Sequence, residues 1–180
     1  CIFTNIGNLH QIKVMDVPMG KLRDKGVPAD NLSRFDGTKE NCIYLINAEA
    51  LKGSSLLFAT KMATVKAVPG EEFETNNRTV VSTKLQDGDE IAVIRMIGGE
   101  AEAVIQTNSG VFLRFNLNEI PVMKKSARGV RGIKLAREEF LENIYLLGED
   151  PVVNYKGKEV HLNRLKISKR DGKGSKVRLS

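Results

Sequence analysis

Apolar positions along this chain fall in short runs that alternate with polar ones, and the runs come in pairs. Residues 1–12, 57–68, 104–115 and 152–162 each read as an apolar strand, a tight turn and a second strand with alternating character. The turns centre on Gly7, Ala63, Gly110 and Gly157. Glycine suits such a position because it takes a positive φ without a Cβ clash. Ala63 departs from that pattern, so its turn is expected to differ in type.

A second element follows each hairpin at a similar distance: residues 23–32, 77–85, 126–135 and 170–179. Each carries a basic residue ahead of a short apolar strand closed by a leucine, at Leu32, Leu85, Leu135 and Leu179. A further apolar strand comes after the first three, at residues 42–46, 91–97 and 144–147, and Asp87-Gly88-Asp89 reads as the polar turn into the second of these. Residues 138–146 have some helical character, but the alternation around them favours a turn. The repeating unit is therefore about four strands in roughly 50 residues, the spacing of blades in a propeller-like array. The fold class is all-β, a partial disc of three to four four-stranded blades, with approximate units 1–52, 53–102, 103–149 and 150–180, the last incomplete. Cys1 to Thr4 already reads as strand, so the chain is expected to be part of something longer.

Charge sharpens this picture. The net charge is +6, and it is sorted into blocks. Residues 120–135 hold Lys124, Lys125, Arg128, Arg131 and Lys134 with no acid, and residues 156–180 hold nine Lys/Arg against Glu159 and Asp171. Between them lie Glu138, Glu139, Glu142, Glu149 and Asp150. Basic blocks are the footprint of a polyanion binder, although a solvated face kept for solubility leaves the same trace. Cys1 and Cys42 are too few for a disulfide framework or a zinc site and point weakly to a reducing cytoplasm. No run reaches the roughly 18 apolar residues of a membrane span, and no signal peptide is recognisable.

The stretch from Gly110 to Leu135, with Gly129-Val130-Arg131-Gly132-Ile133-Lys134-Leu135 at its end, resembles the C-terminal domain of the A subunit of bacterial type IIA topoisomerases, DNA gyrase and topoisomerase IV. Residues 60–66 and 85–91 are similar to the matching positions of the preceding blade. The resemblance implies a β-pinwheel, a disc whose blades swap a strand with their neighbours, and duplex DNA bent around its basic rim with little sequence preference. It implies that the N-terminal domain of the same chain and the B subunit are its partners. A cytoplasmic, nucleoid-associated setting is implied too, with ATP and Mg²⁺ used by other domains and no cofactor here. The gyrase subfamily carries a Q-R-R-G-G-K-G heptapeptide. The nearest string, residues 168–174, keeps Arg170, Gly172, Lys173 and Gly174 but places Asp171 inside it. Gyrase and topoisomerase IV therefore both remain open at this point.

Lysine and arginine on a rim neutralise phosphates and release counterions, Arg as a rigid fork and Lys as a point charge. The candidate DNA contacts are Arg23, Lys25, Arg78, Lys124, Lys125, Arg128, Arg131, Lys169, Arg170, Lys173 and Lys176. No catalytic residue is identified. Residues 109–115 look like the aromatic strand of an RNA-recognition module, but the helices of that module are missing, and Phe112 and Phe115 are expected in a blade core. Residues 171–176 lack phosphate-loop spacing. His10 and His161, three and four residues past their turn glycines, are expected to pack rather than react. A β-propeller protein-interaction module, with the basic rim incidental, is the alternative from another class.

Overall fold

The structure is a computed structural model that describes residues 1–148 and 151–177. Its strands are β1 (Ile2–Thr4), β2 (Asn8–His10), β3 (Cys42–Leu45), β4 (Ser55–Thr60), β5 (Thr64–Pro69), β6 (Thr79–Val81), β7 (Ile91–Ile97), β8 (Glu102–Thr107), β9 (Val111–Asn116), β10 (Val130–Arg131), β11 (Leu141–Leu146), β12 (Val152–Tyr155), β13 (Lys158–His161) and β14 (Ser175–Lys176). Helical structure among the described residues is confined to single turns, including α1 (Ala29–Leu32) and α2 (Ala48–Leu51). None of it is long and apolar enough to cross a membrane.

The first three hairpins share one turn chemistry. Gly7, Ala63 and Gly110 donate their N–H to the carbonyls of Thr4, Thr60 and Thr107. The Oγ1 of each of these threonines then accepts the amide one residue further on, from Asn8, Thr64 and Val111. Ala63 adopts φ +63°, beside +84° and +79° for Gly7 and Gly110, so its turn does not differ in type as expected. The threonine cap and the surrounding strand pairing hold an alanine in the left-handed region. The hairpin that differs is the fourth, where Lys156 and Gly157 form a two-residue turn with φ of +49° and +80°.

Sheet order reveals the exchange between units. The sheets run β3-β1-β2-β6, β10-β5-β4-β7 and β11-β8-β9-β14, with a two-stranded β12-β13. Each four-stranded sheet thus takes its own hairpin, the apolar strand that follows it, and one short strand from the next unit. The same backbone bond seals each exchange: Ser82 to Gly7, Gly132 to Ala63 and Val177 to Gly110, N–H to carbonyl, at 2.7, 2.7 and 3.0 Å. This is the β-pinwheel arrangement. The equivalent segment of the first unit, residues 23–32, was expected to contain such a strand and does not: it forms a turn and α1. The turn expected over residues 138–146 is confined to Arg137 and Glu138, the latter at φ +61°, because residues 141–146 pair with β8 as β11, a strand that starts three residues earlier than expected. The fourth closing leucine, Leu179, and the acidic Glu149 and Asp150 lie outside the described residues.

Burial follows from this stacking. On β4, Leu56 and Phe58 pack with Phe3, Leu9 and Phe73 towards the first sheet, while Leu57 and Ala59 pack with Ile105, Leu113 and Phe115 towards the third. On the third sheet, Val104 and Phe112 turn to Tyr155, Val160 and Leu162 of the fourth unit. Alternate residues of one strand therefore serve two different interfaces. Central strands read as nearly unbroken apolar runs because both of their faces are covered. No sheet could bury both faces alone, which is the logic of a repeat array. Strands β3, β7 and β11 contact one another from sheet to sheet, so they form the inner edge, and the donated strands β6, β10 and β14 form the outer edge.

Candidate nucleic-acid interface

Each donated strand is reached through a loop that crosses the outer edge of the preceding sheet, and two of these loops carry most of the candidate cations. Residues 121–123 run parallel to β5, bridged at Val122 to Ala67, with Ala67 N–H donating to Pro121 O (3.0 Å) and Met123 N–H to Ala67 O (2.8 Å). Ile167 makes the same bridge to Arg114, and Ser168 N–H donates to Arg114 O at 2.8 Å. Both loops then turn at a glycine with positive φ, Gly129 (+95°) and Gly174 (+68°), immediately ahead of the donated strand. A Cβ at Gly129 would lie 2.7 Å from Val65 O, and one at Gly174 would lie 2.7 Å from Phe112 O, so the backbones approach too closely for any other residue.

A staple recurs in both loops. Lys125 N–H donates to Glu72 Oε2 at 3.2 Å and its Nζ to Glu72 O at 2.7 Å. Arg170 N–H donates to Glu119 Oε2 at 2.9 Å and its Nε to Glu119 O at 2.9 Å. Glu72 and Glu119 lie in the 3-10 turns (Gly70–Phe73 and Leu117–Glu119) that close the two preceding hairpins. Lys125 and Arg170, expected among the DNA contacts, are thus engaged by the scaffold, and the matching acids Glu72 and Glu119 in successive turns are the sequence signal for it.

The remaining candidates divide by position. Arg23, Lys25, Arg78, Lys124, Arg128, Lys169, Lys173 and Lys176 are exposed and make no salt bridge among the described residues. Lys124, Lys125 and Arg128 share one loop, and Lys169, Arg170 and Lys173 share the next. The loops join where Arg170 Nη1 donates to Arg131 O, Asp171 N–H to Gly132 O (2.8 Å) and Lys134 N–H to Gly172 O (2.9 Å). The result is one continuous basic strip on the outer edge. Within it the exposed Arg131 forks onto Asp171, with Nη2 to Oδ2 at 3.0 Å. The hydrogen bond from Arg131 holds the Asp171 carboxyl below its usual range, and Lys134 and Arg170 add to this. Arg78 stands ahead of β6, in the place that Arg128 holds ahead of β10, and Arg23 and Lys25 lie in the segment before α1.

One of the two histidines, His10, has packing surroundings, and His161 is half-buried at the end of β13. His10 is buried, with Nε2 2.7 Å from Glu40 Oε1 and Nδ1 2.9 Å from Thr79 Oγ1, so it ties β2 to the donated strand β6 and to the segment ahead of β3. Three residues past its turn, it occupies the place that Lys66 holds in the second hairpin. Phe112 and Phe115 are buried in blade cores.

Comparison with known proteins agrees with this architecture. The family described as "DNA gyrase C-terminal domain, beta-propeller" matches residues 54–97 and 101–147. The A subunit of DNA gyrase from Chlamydia muridarum is 31% identical over 156 residues, covering 84% of this chain and 19% of that protein. The same subunit from Mycoplasma genitalium is 28% identical over 183 residues, covering 97% and 22%. The chain thus spans about a fifth of the length of the curated relatives it matches. Among solved structures, the C-terminal domain of DNA topoisomerase IV superposes with a TM-score of 0.84 at 22% identity, covering 97% of this chain and 56% of that one. The DNA gyrase A C-terminal domain superposes at 0.75 and 18%, covering 97% and 58%, so these two likenesses concern the fold. On the family match, spread over the second and third blades, the chain belongs to the DNA gyrase C-terminal domain family of β-propellers.

Proposed function

We propose that this chain holds and bends duplex DNA along its outer edge, as part of a gyrase A subunit that presents DNA for ATP-dependent strand passage. The observation that carries the reading is the basic strip made by two successive strand-donating loops. Its exposed cations, Lys124, Arg128, Lys169 and Lys173, have no acidic partner among the described residues, and their scaffold is stapled by Lys125 and Arg170. A row of cations at the repeat spacing suits a phosphate backbone and is indifferent to base sequence. Bending a short duplex costs on the order of 1–6 kcal/mol, so several contacts must act together, as a strip allows. In this reading the chain itself carries out no chemistry. ATP and Mg²⁺ act in other domains of a cytoplasmic, nucleoid-associated assembly that includes the N-terminal domain of the same chain and the B subunit.

The test is a gel-shift titration of the chain and its Lys124→Ala/Arg128→Ala/Lys169→Ala/Lys173→Ala variant across salt. Each phosphate contact contributes about −0.9 to the slope of log K against log salt, so the variant should bind more weakly with a slope shallower by about 3–4. A slope equal to that of the unaltered chain would overturn the assignment of the strip. Salt-insensitive duplex binding by the unaltered chain would favour a protein-interaction module instead.

A further inference from the structure

Lys66 lies in β5, the middle of the second sheet, and its side chain is among the most deeply buried in the molecule, at 1% exposure. Its Nζ donates to three carbonyls of a single loop: Lys124 O at 3.3 Å, Lys125 O at 2.8 Å and Ala127 O at 2.6 Å. An ammonium has three N–H bonds, and here each has an acceptor. The loop closes over it with a turn, Ala127 N–H to Lys124 O at 3.0 Å. The stem runs past the Phe58 ring, whose centroid lies 5.9 Å from Nζ, and the carboxylate that acts on it is that of Glu72. A buried charge is costly unless its hydrogen bonds are satisfied, and a lysine is a poor choice for a position needing only volume. Burial lowers the pKa of the ammonium to about 8, which leaves it mostly charged at neutral pH.

We infer that Lys66 is a positioning residue that holds the loop at residues 124–129 in the form that presents Lys124 and Arg128 to a phosphodiester backbone. The inference rests on the DNA-holding reading above. Three carbonyls aimed inward at one ammonium fix three peptide planes of the loop. In a trans peptide the N–H points opposite to the C=O, so the amides of Ser126 and Arg128 face away from Lys66. The loop therefore turns N–H groups outward together with the side chains of Lys124 and Arg128, which are exposed. Preorganised donors of this kind gather an anion without the entropic cost of ordering the loop at the moment of binding. Held from beneath by Lys66 and from the side by Glu72 through Lys125, the loop has a defined register over the sheet edge.

The test is a double-mutant cycle on the chain, with a 20–30 base-pair duplex as probe. In the unaltered background, Lys124→Ala/Arg128→Ala should weaken binding on the order of ten-fold at low salt. In a Lys66→Met background, where the stem is kept and the donors are lost, the same pair should change binding by less than about three-fold, because coupled residues are not additive. Native-state cleavage by trypsin after Lys124, Lys125 and Arg128 should accelerate in Lys66→Met, while melting of the domain reports that the sheet persists. Lys66→Gln, which keeps two N–H donors, should fall between the two, and it serves if Lys66→Met does not fold. Equal fold-changes for the loop pair in both backgrounds, or unchanged tryptic cleavage, would overturn the positioning role. Absence of salt-dependent duplex binding by the unaltered chain would fell the DNA reading and the presentation role with it, while leaving the tryptic result to report on the clamp alone.

Discussion

Replacing Gly129 with alanine tests whether the donated strand is integral to the fold. Gly129 sits at φ +95°, and its Cβ would lie 2.7 Å from Val65 O and 3.0 Å from Thr64 Cγ2. The left-handed backbone alone costs an L-residue about 1–2 kcal/mol. The overlap is with a carbonyl fixed in β5, so relief must come from the arriving strand. That movement lengthens the pairing of Val130 with Val65 and the 2.7 Å bond from Gly132 to Ala63, worth about 1 kcal/mol net for each hydrogen bond lost. The sum is about 3 kcal/mol. For a chain of this size 1 kcal/mol moves Tm by about 2–4 °C, so Gly129→Ala should melt about 6–12 °C lower by calorimetry or circular dichroism. Gly26→Ala is the control, since no atom lies within 4 Å of its Cβ and its φ is not in the left-handed region. It should stay within about 0.5 kcal/mol of the unaltered chain. A Gly129→Ala protein melting within about 2 °C of the control would refute the view that β10 is locked into the preceding sheet.

Asp171→Asn should tighten duplex binding several-fold at low salt and steepen the salt slope by about one, because it frees the Arg131 fork in a cluster with Lys134 and Arg170. Its effect on stability should stay below about 1 kcal/mol, since the pair is at the surface; unchanged or weaker binding in the gel shift would contradict this. Lys66 makes a pH prediction with a definite sign. Its folded pKa, lowered to about 8 by burial, lies below the ordinary lysine value of 10.5, so between those values the unfolded chain binds the proton more tightly. Stability of the unaltered chain relative to Lys66→Met should therefore rise from pH 8 to pH 10.5, measured by denaturant unfolding at several pH values. A difference independent of pH across that window would rule out titration of Lys66 there.

Local features of this chain are readable along it. Turn positions were legible because a glycine between two apolar runs marks a positive φ, and strands β4, β5, β7, β8 and β9 because their apolar runs are long; the threonine cap that holds Ala63 in the same turn emerged only in the fold. The basic blocks also stood out, since charge can be counted along a chain. Tertiary structure decided the rest. Strands β6, β10 and β14 are two or three residues long, and their partners lie in the preceding unit, so nothing in their own composition names the sheet they join. Residues 23–32 matched the repeat and yet formed a turn and α1 in place of a strand. Adjacent lysines in one basic block took opposite fates: Lys124 reaches solvent and Lys125 staples Glu72. Lys66, one more cation to a count of charges, is buried beneath the loop that carries them. Charge is a property of the chain, but its exposure depends on which carbonyls and carboxylates the neighbouring sheet brings within hydrogen-bonding distance.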